Sequence, residues 1–584
     1  MKKTVAPSRP KSPSKRLASS LQKICLASSL SLLAPAQAQS PTGLPDVQIQ
    51  NDHMTVLYGG SFVEKIQENG TFEAFLQASD GEQKSQYRSM AYSGDQVGFR
   101  IRASRFGKHM AYLVNQWEAD RVLMAFGGNE SHRGIAGLAK FEEELRSYLM
   151  VIEDRHAGAE LVLISPISVE KQNDLIEQNL AQRNADLALY SQKMKEVAGD
   201  LGITFIDLHT PTMALFAQSA DQYTDNGVHL NDTGANVVGK MLAEKLIGKD
   251  AIHSVNEKSP GFQALKGLVS RKAAEVFQAY HPSNGISYYG TRARSYEYLP
   301  EIPHYLKLAN TLDQAIWKQA ESLDTALPKP ELEILKIEVE AKAPKKGLGT
   351  MKTSAEDLKD FTLAEDFQVN CFATSEEFPE LINPLQIQTD ARGRIWVTCY
   401  ASYPHPLPGD TPKGSVLIFE DTDQDGKADK MTKFAENLYL PDGFVFYKEG
   451  VLVAINRMVI YLEDRDGDGK ADYRKEILRG LDNTDTHHSG YLARTPQGRL
   501  EISEGLFHRG QFETPQGVLH TKDATMMTLD LDTRGLTIER QTSHPNPWKI
   551  TYNQYGEAIQ FYGGGQIVDV DSVSYTHLTL PTIA

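Results

Sequence analysis

A chain of 584 residues with a formal net charge of −15 is too long for one core and has room for roughly three or four domains. That acidity argues against nucleic acid as a partner and suits calcium. Only three cysteines are present, which excludes a paired-cysteine metal site.

The first 38 residues read as a secretory signal peptide. Lys2, Lys3, Arg9, Lys11, Lys15, Arg16 and Lys23 precede the apolar Ile24 to Ala34, and Ala36-Gln-Ala38 supplies the cleavage site. The apolar stretch is too short to be a permanent membrane span. Removing these seven positive charges and no negative one takes the net charge from −15 to about −22. The expected setting is secreted or periplasmic, with no integral membrane segment after cleavage. Cys25 leaves with the leader. Cys371 and Cys399 remain, and such a compartment permits, without requiring, a bridge between them.

Residues 45–250 alternate strand-like runs with amphipathic helical stretches. Met54 to Tyr58, Val122 to Phe126, Leu161 to Ser165 and Ile203 to Asp207 are the strands. Phe141, Leu145, Leu149 and Ile152 share one helical face; Leu187, Tyr190, Met194 and Val197 share another. This alternation predicts a three-layer α/β sandwich on a parallel sheet. In such sheets the chemistry lies beyond the carboxyl ends of the strands.

Four features stand at those ends. Gly59-Gly60-Ser61 follows the first strand, and Tyr92-Ser-Gly94-Asp follows Tyr87 to Ala91. Gly127-Gly-Asn129-Glu follows the Val122 strand, and Thr224-Asp225-Asn226-Gly-Val-His229 precedes a helix starting near Asn231. Singly, each has a plain structural use: Ser61 can cap a helix, Gly94 can turn the chain, Asn129 can cap, and a lone histidine is more often structural than catalytic.

In series, from about Met54 to Ile247, they resemble the SGNH, or GDSL-type, hydrolases. The resemblance implies an esterase, with Ser61 as nucleophile and His229 as general base. It also implies an oxyanion hole made by Ser61, Gly94 and Asn129. Two positions depart from the family pattern. Gly60 stands where the family has the Asp of Gly-Asp-Ser, and Asn226 stands where it has the triad acid. An amide orients an imidazole without balancing its charge; Asp225, next in line, is the alternative acid.

Residues 251–364 carry no catalytic constellation and read as a helical and irregular linker, with Ala309 to Ser322 helical and a Lys/Glu-rich stretch through Lys346. Beyond Phe367 short strands alternate with Gly, Pro and Asp turns: Ile395 to Thr398, Ser415 to Phe419, Gly450 to Ala454 and Met458 to Leu462. An acidic motif repeats there, with Asp421, Asp423, Asp425 and Asp429 recurring 43 residues later as Asp464, Asp466, Asp468 and Asp472. That period suits one propeller blade. Carboxylates at alternate positions before a Gly suit a structural calcium ion, although the same spacing also makes an acidic hairpin tip that binds nothing.

Residues 365–571 resemble the β-propeller of large secreted proteins similar to quinone-dependent sugar dehydrogenases, through Pro441-Asp-Gly443, Asp485-Thr-His487-His488, Glu504-Gly-Leu-Phe-His508 and Asn546-Pro-Trp548. The resemblance implies an incomplete propeller, with His487, His488 and His508 lining a central funnel. Residues 572–584 read as a non-native read-through tail. No Cys-x-x-Cys-His occurs, so no c-type haem is attached.

The expectation is therefore a multidomain protein, an SGNH α/β domain joined to an incomplete all-β propeller. Its expected activity is hydrolysis of small-molecule or polysaccharide esters, acetyl esters among them, with no cofactor needed. Two alternatives stay open: a quinone-dependent sugar or alcohol dehydrogenase borne by the propeller, and a catalytically degenerate glycan-binding protein.

Overall fold

The computed structural model describes residues 53–79, 84–103, 105–176, 179–288, 301–336, 352–486, 489–541, 547–562 and 566–569. The expected leader, the 572–584 tail, His487 and His488 lie outside them.

The apolar run that opens the first domain becomes β1 (His53–Gly59) and is buried on both faces. It is followed by α1 (Ser61–Asn69), α2 (Thr71–Ser79), β2 (Ser85–Ser89), α3 (Phe106–Gln116), β3 (Arg121–Ala125), α4 (Leu138–Arg155) and β4 (Glu160–Ile164). Then come α5 (Leu180–Leu201), β5 (Thr204–Ile206), α6 (His209–Gln218) and α7 (Asp232–Ile247). The five strands are parallel, in the order β2-β1-β3-β4-β5. Alternation along β1 feeds two cores. Val56 and Tyr58 pack with Trp117, Phe141 and Tyr190 on one side, and Leu57 packs with Phe72, Val238 and Leu242 on the other. The chain leaves β1 for β2 on one flank and returns to β3 on the other, so a crevice opens at the carboxyl end of β1. Ser61 stands there.

Strand β2 has the polar sequence Ser-Gln-Tyr-Arg-Ser. Gln86 and Arg88 are nonetheless buried, because both donate to Asp313 (2.7 and 2.5 Å). Asp313 comes from the segment read as linker, and that reading is corrected here. Residues 249–320 form α8 (Lys249–His253), α9 (Pro260–Tyr280) and α10 (Glu301–Ala320), α9 being opened by a Ser259 cap and Pro260 at its first turn. Phe262, Leu265, Ile316 and Trp317 enter one core, and Val276, Tyr280, Ile302 and Tyr305 the other. Their apolar faces belong to the α/β domain.

The C-terminal part is antiparallel throughout. One four-stranded sheet is β6 (Pro384–Thr389), β7 (Ile395–Tyr400), β8 (Gly414–Glu420) and β9 (Lys430–Leu438). The next is β10 (Pro441–Tyr447), β11 (Gly450–Ile455), β12 (Met458–Glu463) and β13 (Tyr473–Arg479). The third, in the order β14 (Ser489–Arg494), β15 (Leu500–Glu504), β18 (Thr525–Leu529) and β19 (Leu536–Gln541), pairs β15 directly with β18, and the chain between those two strands makes a two-stranded ribbon, β16 (Gln511–Thr514) with β17 (Gly517–His520). The strands β20 (Pro547–Tyr552), β21 (Ala558–Tyr562) and β22 (Gln566–Asp569) form the fourth sheet. The two repeated Asp loops are the β8–β9 and β12–β13 turns. Cys371 and Cys399 are free thiols. Among the described residues no helix is long and apolar enough to cross a membrane.

Candidate active site

Gly60 takes the N-cap position of α1, with no side chain to bond the helix. Ser61 is therefore the first helical residue, its N–H unclaimed by the helix. Gly94 holds φ +76°, a left-handed conformation that glycine adopts freely. Asn129 is steered by donating to the Asp95 carbonyl (3.0 Å).

The turns carrying Gly94 and Asn129 are stapled by one buried side chain, Glu130. It accepts from Val97 N (2.7 Å) and from Gly127 N (2.9 Å). Burial pushes its carboxyl up to about 7 against the pull of both N–H groups. Arg183 holds the second turn from outside through Gly128 O (2.7 Å) and Ser131 Oγ (2.9 Å).

His229 lies in a tight loop in which Thr224 bridges Leu230. Buried Glu170 accepts from the N–H groups of Tyr223 and Thr224, and Asn231 caps α7 by accepting from Gly234 N (2.9 Å). Within the loop, Asn226 Oδ1 accepts from Val228 N (3.1 Å) and His229 N (2.9 Å), which leaves its Nδ2 toward His229 Nδ1 at 3.0 Å. The amide orientation is thus fixed by two backbone donors. Asp225 turns the other way, and its Oδ2 accepts from Glu476 N (3.0 Å). Burial, with the Glu476 charge nearby, pushes its carboxyl up to about 6.

Ser61, Gly94, Asn129, Asn226 and His229 are thereby brought together at the end of β1. Two residues that sequence reasoning did not single out join them from the C-terminal sheets. Glu513, on β16, places Oε1 3.0 Å from Ser61 N, 2.6 Å from Gly94 N and 3.1 Å from Asn129 Nδ2. Its Oε2 receives the Ser61 hydroxyl and lies 3.5 Å from His229 Nε2. Burial alone would raise its carboxyl, but His229 and Ser61 prevail and push it down to about 2.

Glu476, on β13, brings Oε1 to 3.4 Å from His229 Nδ1. Arg479 grips Glu476 in a fork, Nε to Oε1 at 3.0 Å and Nη2 to Oε2 at 2.7 Å. Against its burial, Arg479 and His229 hold the Glu476 carboxyl well below the ordinary range. Arg479 also reaches Glu64 (3.2 Å) and Glu68 (2.8 Å) on α1, and Glu64 takes Ser93 N (2.8 Å) and Arg457 Nη1 (2.9 Å).

Between Ser61 and Val228 lies a cavity of about 80 Å³, walled by Phe126, Ile167 and Leu187. Nothing local in the sequence marks Glu476 or Glu513, since their partners lie hundreds of positions away. The usable signal was indirect: Gly60 and Asn226 each lack a side chain the pattern calls for, and the two glutamates stand beside those two gaps.

Residues 55–237 match the GDSL-like Lipase/Acylhydrolase family. This segment is a GDSL-type hydrolase domain. Residues 353–566 of the same chain match a domain of unknown function, DUF7133. None of the curated proteins compared matches the chain. The chain is similar to a catalytic mutant of Axe2, an acetylxylan esterase from Geobacillus stearothermophilus, at 16% identity over 35% of this chain and 98% of that one, with a TM-score of 0.27. A putative GDSL-like lipase from Parabacteroides merdae is 13% identical over 34% and 98%, with a TM-score of 0.27. A gut microbial diltiazem-metabolizing enzyme is 13% identical over 35% of this chain, which spans about half (49%) of that protein, with a TM-score of 0.27.

The repeated Asp sites lie at the tips of their turns. Carboxylate oxygens of Asp421, Asp423 and Asp429 lie within 4.8 Å of one another, as do those of Asp464, Asp466 and Asp468. Asp425 accepts from Lys427 N and Asp468 from Lys470 N (both 2.8 Å), and Asp472 accepts from Arg465 N (2.8 Å). His508 is buried, its Nδ1 taking Gly505 N and its Nε2 reaching Asp485 O.

Proposed function

We propose that the GDSL-type hydrolase domain is an esterase that removes a short acyl group, acetyl above all, from carbohydrate esters outside the cytoplasm. The observation that carries this reading is the meeting of three N–H donors on one oxygen, Glu513 Oε1, at 2.6–3.1 Å. That is the spacing an oxyanion needs, and Glu513 Oε1 stands in for it. Ser61 Oγ attacks the ester carbonyl while its proton passes to His229 Nε2. The oxyanion forms where Glu513 Oε1 now lies. His229 then returns the proton to the leaving alcohol, and water repeats the cycle on the acyl-serine. The apolar walls of Phe126, Ile167 and Leu187 beside Ser61 support an acyl group seated there. The carbohydrate portion and the secreted setting rest on the sequence reading.

The reading extends to the C-terminal sheets as propeller blades stiffened by calcium at the two Asp loops. Two observations support calcium there: the convergence of three carboxylates in each loop, and Asp421 Oδ1, buried without a hydrogen-bond partner.

The test is acetate release from p-nitrophenyl acetate and from an acetylated xylo-oligosaccharide by the full chain. Release is expected to vanish in Ser61→Ala and to fall about 10²–10³-fold in Asn129→Ala. Release that survives Ser61→Ala would overturn the reading.

A further inference from the structure

Ser61 attack leaves a positive charge on His229, and Asn226 cannot balance it. Its amide is locked with Nδ2 toward Nδ1 of the ring, so it offers a donor where the imidazolium also has one. The negative charge beside Nδ1 is Glu476 Oε1, at 3.4 Å. Its side chain is 8% exposed, and the Arg479 fork together with the Asp225 bond to its backbone fixes its place.

Resting on the esterase reading, we infer that Glu476 is the positioning residue that replaces the missing triad acid. Its carboxylate balances the imidazolium once the Ser61 proton has moved to Nε2. The proton travels only from Oγ to Nε2 and on to the leaving alcohol; Glu476 stays ionised throughout.

The test uses the full chain, with two readouts. One is kcat and KM on p-nitrophenyl acetate; the other is covalent labelling of Ser61 by an alkyl fluorophosphonate, followed by intact mass. Glu476→Gln is expected to lower kcat and the labelling rate about 10²–10³-fold with KM within about twofold, and Glu476→Asp to recover part of the loss. Labelling and turnover as fast in Glu476→Gln as in the parent would overturn the assignment and leave the esterase reading standing. No labelling in the parent would overturn both.

Glu513 acts on the same site from a different strand. Its carboxylate uses every donor of the oxyanion hole and also takes the Ser61 hydroxyl. Gly60 makes room for it, since a Cβ at that position would lie 2.6 Å from Glu513 Oε1. A carboxylate in an oxyanion hole has the geometry of the bound acid product. We propose that Glu513 is a built-in competitor of the ester, which a substrate must displace before acylation. Phe512, fully buried in the C-terminal core, anchors β16, so displacement moves the Glu513 side chain and leaves the strand in place.

Glu513→Ala and Glu513→Ser are the variants to compare, each checked by circular dichroism to be folded and to melt in one cooperative transition. Both are expected to label at Ser61 at least about tenfold faster than the parent and to become inhibited by added acetate, which the parent resists. Equal or slower labelling in both folded variants would overturn the proposal, whereas labelling absent from parent and variants alike would remove the esterase reading with it.

Discussion

Glu476 Oε1 lies 3.4 Å from Nδ1 of His229, on the atom that Asn226 Nδ2 approaches at 3.0 Å. A carboxylate from an antiparallel sheet and an amide from the hydrolase loop therefore compete for one ring nitrogen. This makes position 226 respond differently here from the same position in an ordinary Ser-His-Asp site.

Asn226→Asp sets a second carboxylate next to Glu476, and like charges at that separation resist joint ionisation. In the parent background the change is expected to alter kcat by less than about threefold. In Glu476→Gln it is expected to recover at least about tenfold of the lost rate, since the introduced carboxylate then supplies the charge on the Nδ1 side of the ring. A double-mutant cycle on kcat reads this non-additivity directly; additive effects would show that the two positions do not share a role.

Glu130 bonds two backbone N–H groups through its two oxygens. Glutamine has one acceptor oxygen, so Glu130→Gln confronts one N–H with another donor. A stability loss of about 1–3 kcal/mol is expected in urea denaturation. The turns bearing Gly94 and Asn129 shift with it, so kcat should fall more than KM rises.

Acid should loosen the fold through Glu513 and Glu64. Burial raises both carboxyls, but their partners overrule it. Glu513 is pushed down to about 2, and Arg457 with Arg479 holds Glu64 below its ordinary value. A carboxyl lowered in the folded state contributes fully above its unfolded value and loses that contribution as pH falls toward the folded one. From 4.5 to about 2, Glu513 alone corresponds to about 3 kcal/mol. Unfolding free energies measured across that range should be flatter in Glu513→Ala by about this amount.

Chelation tests the Asp loops. The 464–472 loop leads directly into β13, four residues before Glu476. Stripping calcium with EDTA is expected to lower the melting temperature by several degrees and to reduce kcat, with both restored by added calcium and not by magnesium. Asp464→Asn should show the lowered values without chelator.

The parallel sheet and the gathering of Ser61, Gly94, Asn129 and His229 were legible because strand ends and their Gly and Ser punctuation are local signals. Strand β2 was faint because its burial depends on Asp313, more than two hundred residues away. The helices α9 and α10 read as linker because a helix without a visible partner looks the same whether it covers a core or spans solvent. Glu476 and Glu513 were illegible for the same reason. A glutamate in a strand such as Tyr473–Arg479 reads as a solvated face until the histidine it meets is known.

Arg479 clasps Glu476 beside His229 and Glu64 and Glu68 on the helix that begins with Ser61. A boundary drawn at the end of the hydrolase match, residue 237, would therefore not release a smaller working enzyme. It would strip His229 of the carboxylate beside Nδ1, deprive Glu64 of both its cations, and uncover the surface those partners seal. For recombinant work on this protein, the shortest piece that carries a whole active site extends past Glu513.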